Sequence, residues 1–259
     1  MNFTEQELLT ILASFIWPFI RISSMFITIP VFSVKALPAK IRVILSLLIT
    51  LVIIPVLPDP PSIQMFSYQG FLVTVQQLVI GLSTGFILQM VFAIMLVGGQ
   101  SMAYSMGLGF ASMVDPATGV QVPVIAQIFV IASSLMFLAF NGHLLLIEML
   151  VASFTTLPIA ATGFSISDIW SIVAWSSQMF AGGLLLAIPV MMALLFVNIS
   201  FGVAARAAPQ LQIFGVGFPI TIMLGMVLIW IYMAAALDVF SAVLTDGFEF
   251  ISQLLKVSY

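Results

Sequence analysis

The chain has 259 residues, of which 63% are hydrophobic and only 6% are charged, with a formal net charge of −3. Because a soluble domain carries about 25% charged residues, this composition excludes a water-facing surface and indicates a polytopic integral membrane protein. The lack of cysteine excludes disulfides, zinc–thiolate sites and thiol catalysis, and the lack of a basic stripe argues against a nucleic-acid partner.

Six apolar segments follow one another, each near the roughly 20 residues that cross a hydrocarbon core of about 30 Å. They are Leu8–Val31, Ile41–Leu57, Phe71–Val97, Val124–Leu157, Ile169–Ile199 and Leu211–Leu237. The start of the chain is acidic, where a secretory signal would be basic, so we expect Leu8 onward to be a retained first helix. The segments predict an all-α fold of about six long helices, kinked or ended by prolines.

Local signals mark the breaks between these segments. Asp59-Pro60-Pro61 predicts a rigid turn, and Asn141-Gly142-His143 predicts that the fourth segment is a bent helix or a tight helical pair. Ser165 to Asp168 supplies side-chain oxygens for an N-cap of the fifth helix. In Asp238–Lys256, apolar residues recur at helical spacing and predict a final amphipathic helix.

The basic residues suggest a topology. Lys35, Lys40 and Arg42 follow the first segment, and Arg206 lies between the fifth and sixth. With six crossings both loops fall on one side, which the positive-inside rule makes cytoplasmic. Two crossings in the fourth segment would instead move Arg206 outside.

The segment Gly98–Pro123 is rich in glycine and methionine and has little charge. We expect irregular backbone here, which persists at a membrane only where protein or a water-filled cavity satisfies its N–H and C=O groups. Met102, Met106 and Met113 alternate with glycines, and methionine fills irregular gaps. They are either ordinary core residues or a deformable apolar collar that seals a pore.

Few residues could carry chemistry. His143 and Glu148 are five positions apart, about 140° around a helix, so they do not share a face, and we expect structural roles for both. Glu148 is nevertheless the one acid deep in an apolar segment, and Arg21 could snorkel to the interface or pair with a partner chain. No P-loop, HExxH or G-x-S-x-G motif occurs, so we expect neither an enzyme, nor a cofactor, nor a metal site.

The run GLGFASMVDPATGVQVPVIAQ, from Gly107 to Gln127, closely resembles the signature of the FliR family of flagellar type III export-gate membrane proteins. A second stretch, Ala205–Ile222, resembles the family's Arg-x-x-Pro-Gln…Phe-x-x-Gly-x-Pro pattern. It differs at Gln212, where members often carry Asn. The resemblance extends over essentially the whole chain.

This resemblance implies a single FliR-type domain over residues 1–259, with its helices arranged as hairpins. Residues 1–165 would be FliP-like and include a plug loop at 98–123, and residues 166–259 would form a FliQ-like hairpin with a C-terminal helix. The implied partners are FliP-like, FliQ-like and FlhB-like proteins in a hetero-oligomer at the flagellar basal body in the bacterial inner membrane. Arg206, Pro209 and Gln210 would lie at the cytoplasmic entrance turn. The implied plug consists of Met106, Gly107, Leu108, Gly109, Phe110, Ala111, Ser112, Met113, Val114, Asp115 and Pro116.

The sequence therefore favours a non-enzymatic subunit of a channel for unfolded flagellar export substrates. One alternative is a secondary transporter of a small solute with Glu148 or Arg21 at its coupling site. A passive scaffold without contact to the channel lumen is another.

Overall fold

The computed structural model describes residues 5–32, 38–58, 63–109, 123–207 and 213–257. Within these ranges the chain forms seven α-helices, a single 3-10 turn and no strand. The elements in chain order are α1 (Glu5–Thr28), α2 (Ala39–Ile53), the 3-10 turn Ile54–Val56, α3 (Tyr68–Ser105), α4 (Val124–Ala139), α5 (Gly142–Thr156), α6 (Ile166–Ala207) and α7 (Ile213–Leu255). The prediction of a polytopic helical membrane protein is confirmed.

The structure has five or six candidate crossings, against the six predicted. Among the described residues, five helices are long and apolar enough to span a membrane, and α4 with α5, bent by 63° at a short break, makes a sixth if the pair is counted as one span. The predicted interruption of the fourth segment is thereby confirmed. At the break Asn141 adopts a left-handed conformation with φ 56°, which asparagine tolerates better than most residues. The turn predicted at Asp59-Pro60-Pro61 lies outside the described residues.

The prediction of irregular backbone from Gly98 onward was wrong for residues 98–105, because α3 continues to Ser105. Here the glycines serve close helix packing. A methyl group on Gly99 would lie 2.6 Å from Cα of Ala126, and one on Gly98 would lie 3.1 Å from the carbonyl oxygen of Gly183. Small residues at such positions let helix backbones approach each other closely.

The predicted C-terminal amphipathic helix exists, but it continues the sixth segment without a break as the last part of α7. Its inward side chains are buried, whereas Asp246 and Glu249 are exposed. The buried residues on this face are Phe240, Leu244, Ile251 and Leu255.

The predicted N-cap of the fifth segment is confirmed at the start of α6. The backbone N–H of Asp168 donates to Ser165 Oγ (3.3 Å), and Asp168 Oδ2 accepts from the backbone N–H of Ser165 (2.8 Å). This reciprocal pair is a capping box in which the acid is aspartate. It satisfies two backbone donors that a helix start would otherwise leave unpaired.

The chain divides into two compact units. The first comprises residues 1–90, 138–175 and 244–259. In it α1 lies close beside α3, because Gly81 leaves room for the carbonyl of Arg21, and Gly85 for that of Met25. One apolar cluster of this unit contains Ala13, Trp17, Val73, Phe154 and Ile159.

The second unit comprises residues 91–137 and 176–243. Phe92 makes edge-to-face contacts with Phe137 and Phe240, at ring-centroid distances of 5.6 and 5.2 Å. Gly183 of α6 packs against Val97 of α3, and a methyl group built on Gly183 would lie 2.8 Å from Cβ of Val97. These two units are not the parts predicted from the sequence. The prediction that residues 1–165 are FliP-like and residues 166–259 are FliQ-like stays a prediction.

Candidate functional site

Helix α3 ends in a Schellman motif that Gly107 makes possible. Gly107 has φ 84°, a left-handed conformation that glycine adopts without strain. Its backbone N–H donates to the carbonyl of Tyr104 (2.9 Å), and the N–H of Leu108 donates to that of Ala103 (3.1 Å). These two bonds satisfy carbonyls at the helix end. Gly107 therefore fixes where α3 stops and where the motif Gly107–Pro116 begins.

This helix end is anchored on α7. Met106 is fully buried, and a methyl group built on Gly225 would lie 2.6 Å from Met106 Cγ. A methyl group on Gly107 itself would lie 2.7 Å from Cε2 of Phe218. Since both contacts hold the first residues of the predicted plug against α7, they define the base of that segment.

The methionines at the end of α3 are buried. Met102 and Met106 are both 0% exposed, which is expected of core residues and equally of the anchored base of a plug. Met113 and the other plug residues Phe110, Ala111, Ser112, Val114, Asp115 and Pro116 lie outside the described residues. The plug role of Met106–Pro116, including Leu108 and Gly109, stays a prediction.

Beside the base of this segment lies a cavity of about 370 Å³. Its polar lining includes Asn198 and Thr221. The single hydroxyl proton of Thr221 is shared between two acceptors, the carbonyl oxygen of Gly217 at 2.9 Å and, more weakly, Asn198 Oδ1 at 3.4 Å. The other lining residues include Tyr104, Met106, Phe201, Gly202 and Phe218.

The predicted entrance turn is only partly described. Arg206 lies exposed in the last turn of α6, where a cation interacts favourably with the helix C-terminus. Pro209 and Gln210 lie outside the described residues, so the turn itself stays a prediction.

A buried arginine network in the first unit is a feature that sequence reasoning missed. Arg21 is 0% exposed. It donates from Nε to Gln77 Oε1 (2.7 Å), from Nη1 to Ser153 Oγ (3.0 Å) and from Nη2 to the carbonyl of Leu157 (2.8 Å). Its guanidinium carbon also lies 4.1 Å from the ring centroid of Phe154. The Arg21 side chain thus connects α1 with α3 and with the end of α5 through hydrogen bonds.

The position of Arg21 corrects both sequence expectations for it. It neither snorkels nor is it accessible to a partner chain, and its three hydrogen-bond partners are a neutral amide, a hydroxyl and a carbonyl. Gln77 Nε2 is buried and has no hydrogen-bond partner among the described residues. A sequence signal did exist, since Gln77 and Ser153 are polar residues inside apolar segments.

His143 and Glu148 form no catalytic couple in the structure. Glu148 lies in the middle of α5, as its position in the apolar segment predicts, and is exposed on the surface of the chain. His143 is half-buried, and its Nδ1 has no hydrogen-bond partner in the described part of the chain. The described residues also contain no group of three or more His, Cys, Asp or Glu that could hold a metal.

The long apolar helices define a polytopic helical membrane protein. Comparison with known proteins is specific: residues 12–247 match the family model of bacterial export proteins, family 1. The chain belongs to this family.

Three similar relatives share one name. The flagellar biosynthetic protein FliR of Escherichia coli (strain K12) is 37% identical over 225 residues, which cover 87% of this chain and 86% of the relative. The FliR of Pectobacterium carotovorum subsp. carotovorum matches with the same identity and coverage. That of Buchnera aphidicola subsp. Acyrthosiphon pisum is 31% identical over 255 residues, 98% of each chain. The chain is thus a component of the flagellar export apparatus with a membrane location.

Proposed function

We propose that this chain is a core subunit of the flagellar type III export gate in the bacterial inner membrane. With FliP-like and FliQ-like proteins, next to an FlhB-like protein, it forms a channel for unfolded flagellar substrates at the basal body. Residues Met106–Pro116 contribute the plug that closes this channel, and no catalysis by this chain is involved. The observation that carries the proposal is the family match over residues 12–247.

The geometry of the helix end supports the plug assignment. The Schellman motif at Gly107 stops α3 abruptly, and the buried side chain of Met106 holds that end against α7. A gate needs such a fixed base, because a segment that opens and closes must move relative to something rigid.

The test is to replace the plug while keeping its base. Leu108–Pro116 is exchanged for a Gly/Ser linker of equal length, and Met106 and Gly107 are retained so that the end of α3 is unchanged. We expect the complex to assemble and the membrane to leak small ions, measured as conductance in bilayers or as ion sensitivity of cells. Background conductance in an assembled complex would refute the plug assignment.

Contact with cargo distinguishes a channel subunit from a passive scaffold. A photo-crosslinker at Met113 is expected to form adducts with a stalled export substrate, whereas one at the exposed Trp230 of α7 should not. Failure to crosslink at Met113, with the substrate stalled in the same complex, would favour the scaffold.

The described residues give no support to the alternative of a small-solute transporter. Arg21 lies in a closed core with neutral partners, and Glu148 is exposed. A coupling site needs ionisable groups at the substrate pathway, and neither residue lines a described cavity.

A further inference from the structure

The guanidinium of Arg21 is a buried positive charge without a carboxylate partner in the part of the chain that the structure describes. Arg21 is 0% exposed, and arginine stays protonated in proteins. The groups that accept its hydrogen bonds are the side-chain oxygens of Gln77 and Ser153 and the carbonyl oxygen of Leu157. All three acceptors are neutral, so they satisfy hydrogen bonds but leave the charge uncompensated.

The aromatic ring beside the guanidinium does not replace a counter-charge. The ring centroid of Phe154 lies 4.1 Å from Cζ of Arg21, and the face of an aromatic ring attracts a cation. Such a contact contributes less than the free energy that burial of an uncompensated ion costs. A further negative charge beside Arg21 would therefore stabilise the fold.

Unpaired hydrogen-bond donors are concentrated at the same place. Gln77 is 0% exposed, and its Nε2 is buried without a hydrogen-bond partner among the described residues. The guanidinium has five N–H groups and makes three hydrogen bonds to described residues, which leaves two of its N–H groups without an acceptor there. Ser153 adds no donor, because its hydroxyl donates to the carbonyl of Leu150. A buried unpaired donor costs free energy, so the chemistry of this site calls for an acceptor.

The amide nitrogen of Gln77 and the guanidinium are close enough to face one ligand. Gln77 Oε1 lies 2.7 Å from Arg21 Nε, and the oxygen and nitrogen of an amide are bonded to the same carbon. Standard amide bond lengths therefore place Nε2 at most about 5.3 Å from Arg21 Nε. An anion that accepts from Nε2 is then close to the guanidinium as well, and opposite charges attract strongly over such distances away from water.

We propose that Arg21 and Gln77 form a buried site for one small monovalent anion of the chloride class. The anion accepts a hydrogen bond from Gln77 Nε2 and neutralises the guanidinium. It is small because both side chains are fully enclosed. Water alone does not suffice, because it would pair the donors and leave the charge uncompensated. The site goes beyond the proposed function and does not depend on it.

The anion site makes the stability of the protein depend on chloride. The thermal midpoint of the detergent-extracted complex is measured across a chloride series in which gluconate keeps the ionic strength constant. A ligand that binds the folded state stabilises it by mass action, so the midpoint should rise saturably, by about 3–6 °C at a chloride concentration about ten times the Kd. Binding of radioactive chloride to the same complex is measured in parallel.

A carboxylate at position 77 should replace the anion. Gln77→Glu keeps an oxygen that accepts from Arg21 and supplies its own negative charge. We expect its midpoint to be independent of chloride and its saturable chloride binding to be lost. The matched control is Gln76→Glu, which adds the same charge one position away on α3, where the glutamine oxygen accepts from the backbone N–H of Phe164 (3.2 Å). Gln76→Glu should keep both chloride responses.

Two results would overturn the anion site. One is a wild-type complex with equal midpoints in chloride and gluconate and without saturable chloride binding. The other is a chloride response as large in Gln77→Glu as in the wild type, because the anion would then bind elsewhere in the complex. Neither result affects the export-gate proposal, which the conductance and crosslinking experiments test separately.

Discussion

The network around Arg21 makes a sharp prediction about Gln77. In Gln77→Leu the Nε–H of the buried guanidinium loses the acceptor that now lies 2.7 Å away. In Gln77→Glu that acceptor is kept, and a second carboxylate oxygen replaces the buried amide nitrogen that lacks a partner. We expect leucine to destabilise the protein and glutamate to leave it at least as stable as the wild type.

The magnitude follows from two opposing contributions. Loss of a hydrogen bond to a charged group costs about 1.5–3 kcal/mol of stability. Removal of the buried, unpaired Nε2 donor of Gln77 restores about 1 kcal/mol. Gln77→Leu should therefore cost about 0.5–2 kcal/mol in net stability. For a chain of this size that is a fall of about 1–8 °C in the thermal midpoint. Glutamate gives the cation a counter-charge in a site without solvent, where an uncompensated charge is costly.

The assay is the temperature at which half of the detergent-extracted protein stays soluble, measured after co-expression with its partner subunits. Gln178→Leu is the control, because Gln178 is exposed on α6 and should change stability by no more than about 0.5 kcal/mol. If glutamate at position 77 proves less stable than leucine there, Gln77 does not serve the guanidinium and the reasoning fails.

Three further substitutions test the helix ends by the same thermal assay. Gly107→Ala should cost about 1–2 kcal/mol, because alanine resists positive φ and its methyl group would lie 2.7 Å from Phe218; an unchanged midpoint would rule out the Schellman geometry. Lys256 is the C′ residue of α7 and has φ 56°, so Lys256→Gly should raise the free energy of unfolding by about 0.5–1 kcal/mol. A loss of stability there would contradict the left-handed cap. Asp168→Ala should cost about 1 kcal/mol by breaking the capping box with Ser165, and equal stability would mean that the box contributes nothing.

Much of the fold was predictable because hydropathy and turn residues act locally. The six apolar segments, the break at Asn141 and the cap at Ser165 all depend on neighbouring residues in the sequence, and all were confirmed. The extent of α3 was not predictable in this way. Gly98 and Gly99 weaken a helix in isolation, but in the fold they let α4 and α6 approach, and tertiary packing outweighs local propensity.

The site was less predictable than the fold. Gln77 and Ser153 lie 56 and 132 positions from Arg21, so no spacing in the sequence indicates that the three meet. Glu148 shows a related limit. Hydropathy correctly places it in the middle of an apolar segment but does not indicate the face of the helix on which it lies, and in the structure that face is exposed.

The lengths of the helices bear on what must surround this chain. Helix α6 has 42 residues and α7 has 43, so each is about 63–65 Å long at 1.5 Å per residue. Even at a tilt of 40°, near the upper limit for membrane helices, such a helix rises about 48 Å, well beyond a hydrocarbon core of about 30 Å. Large apolar side chains are nevertheless exposed along most of α6, from Ile166 to Val203, which is about 55 Å of helix and rises about 42 Å at the same tilt. Because one bilayer cannot cover all of that surface, protein beyond the described residues must cover part of it, as expected of a subunit that works within an assembly.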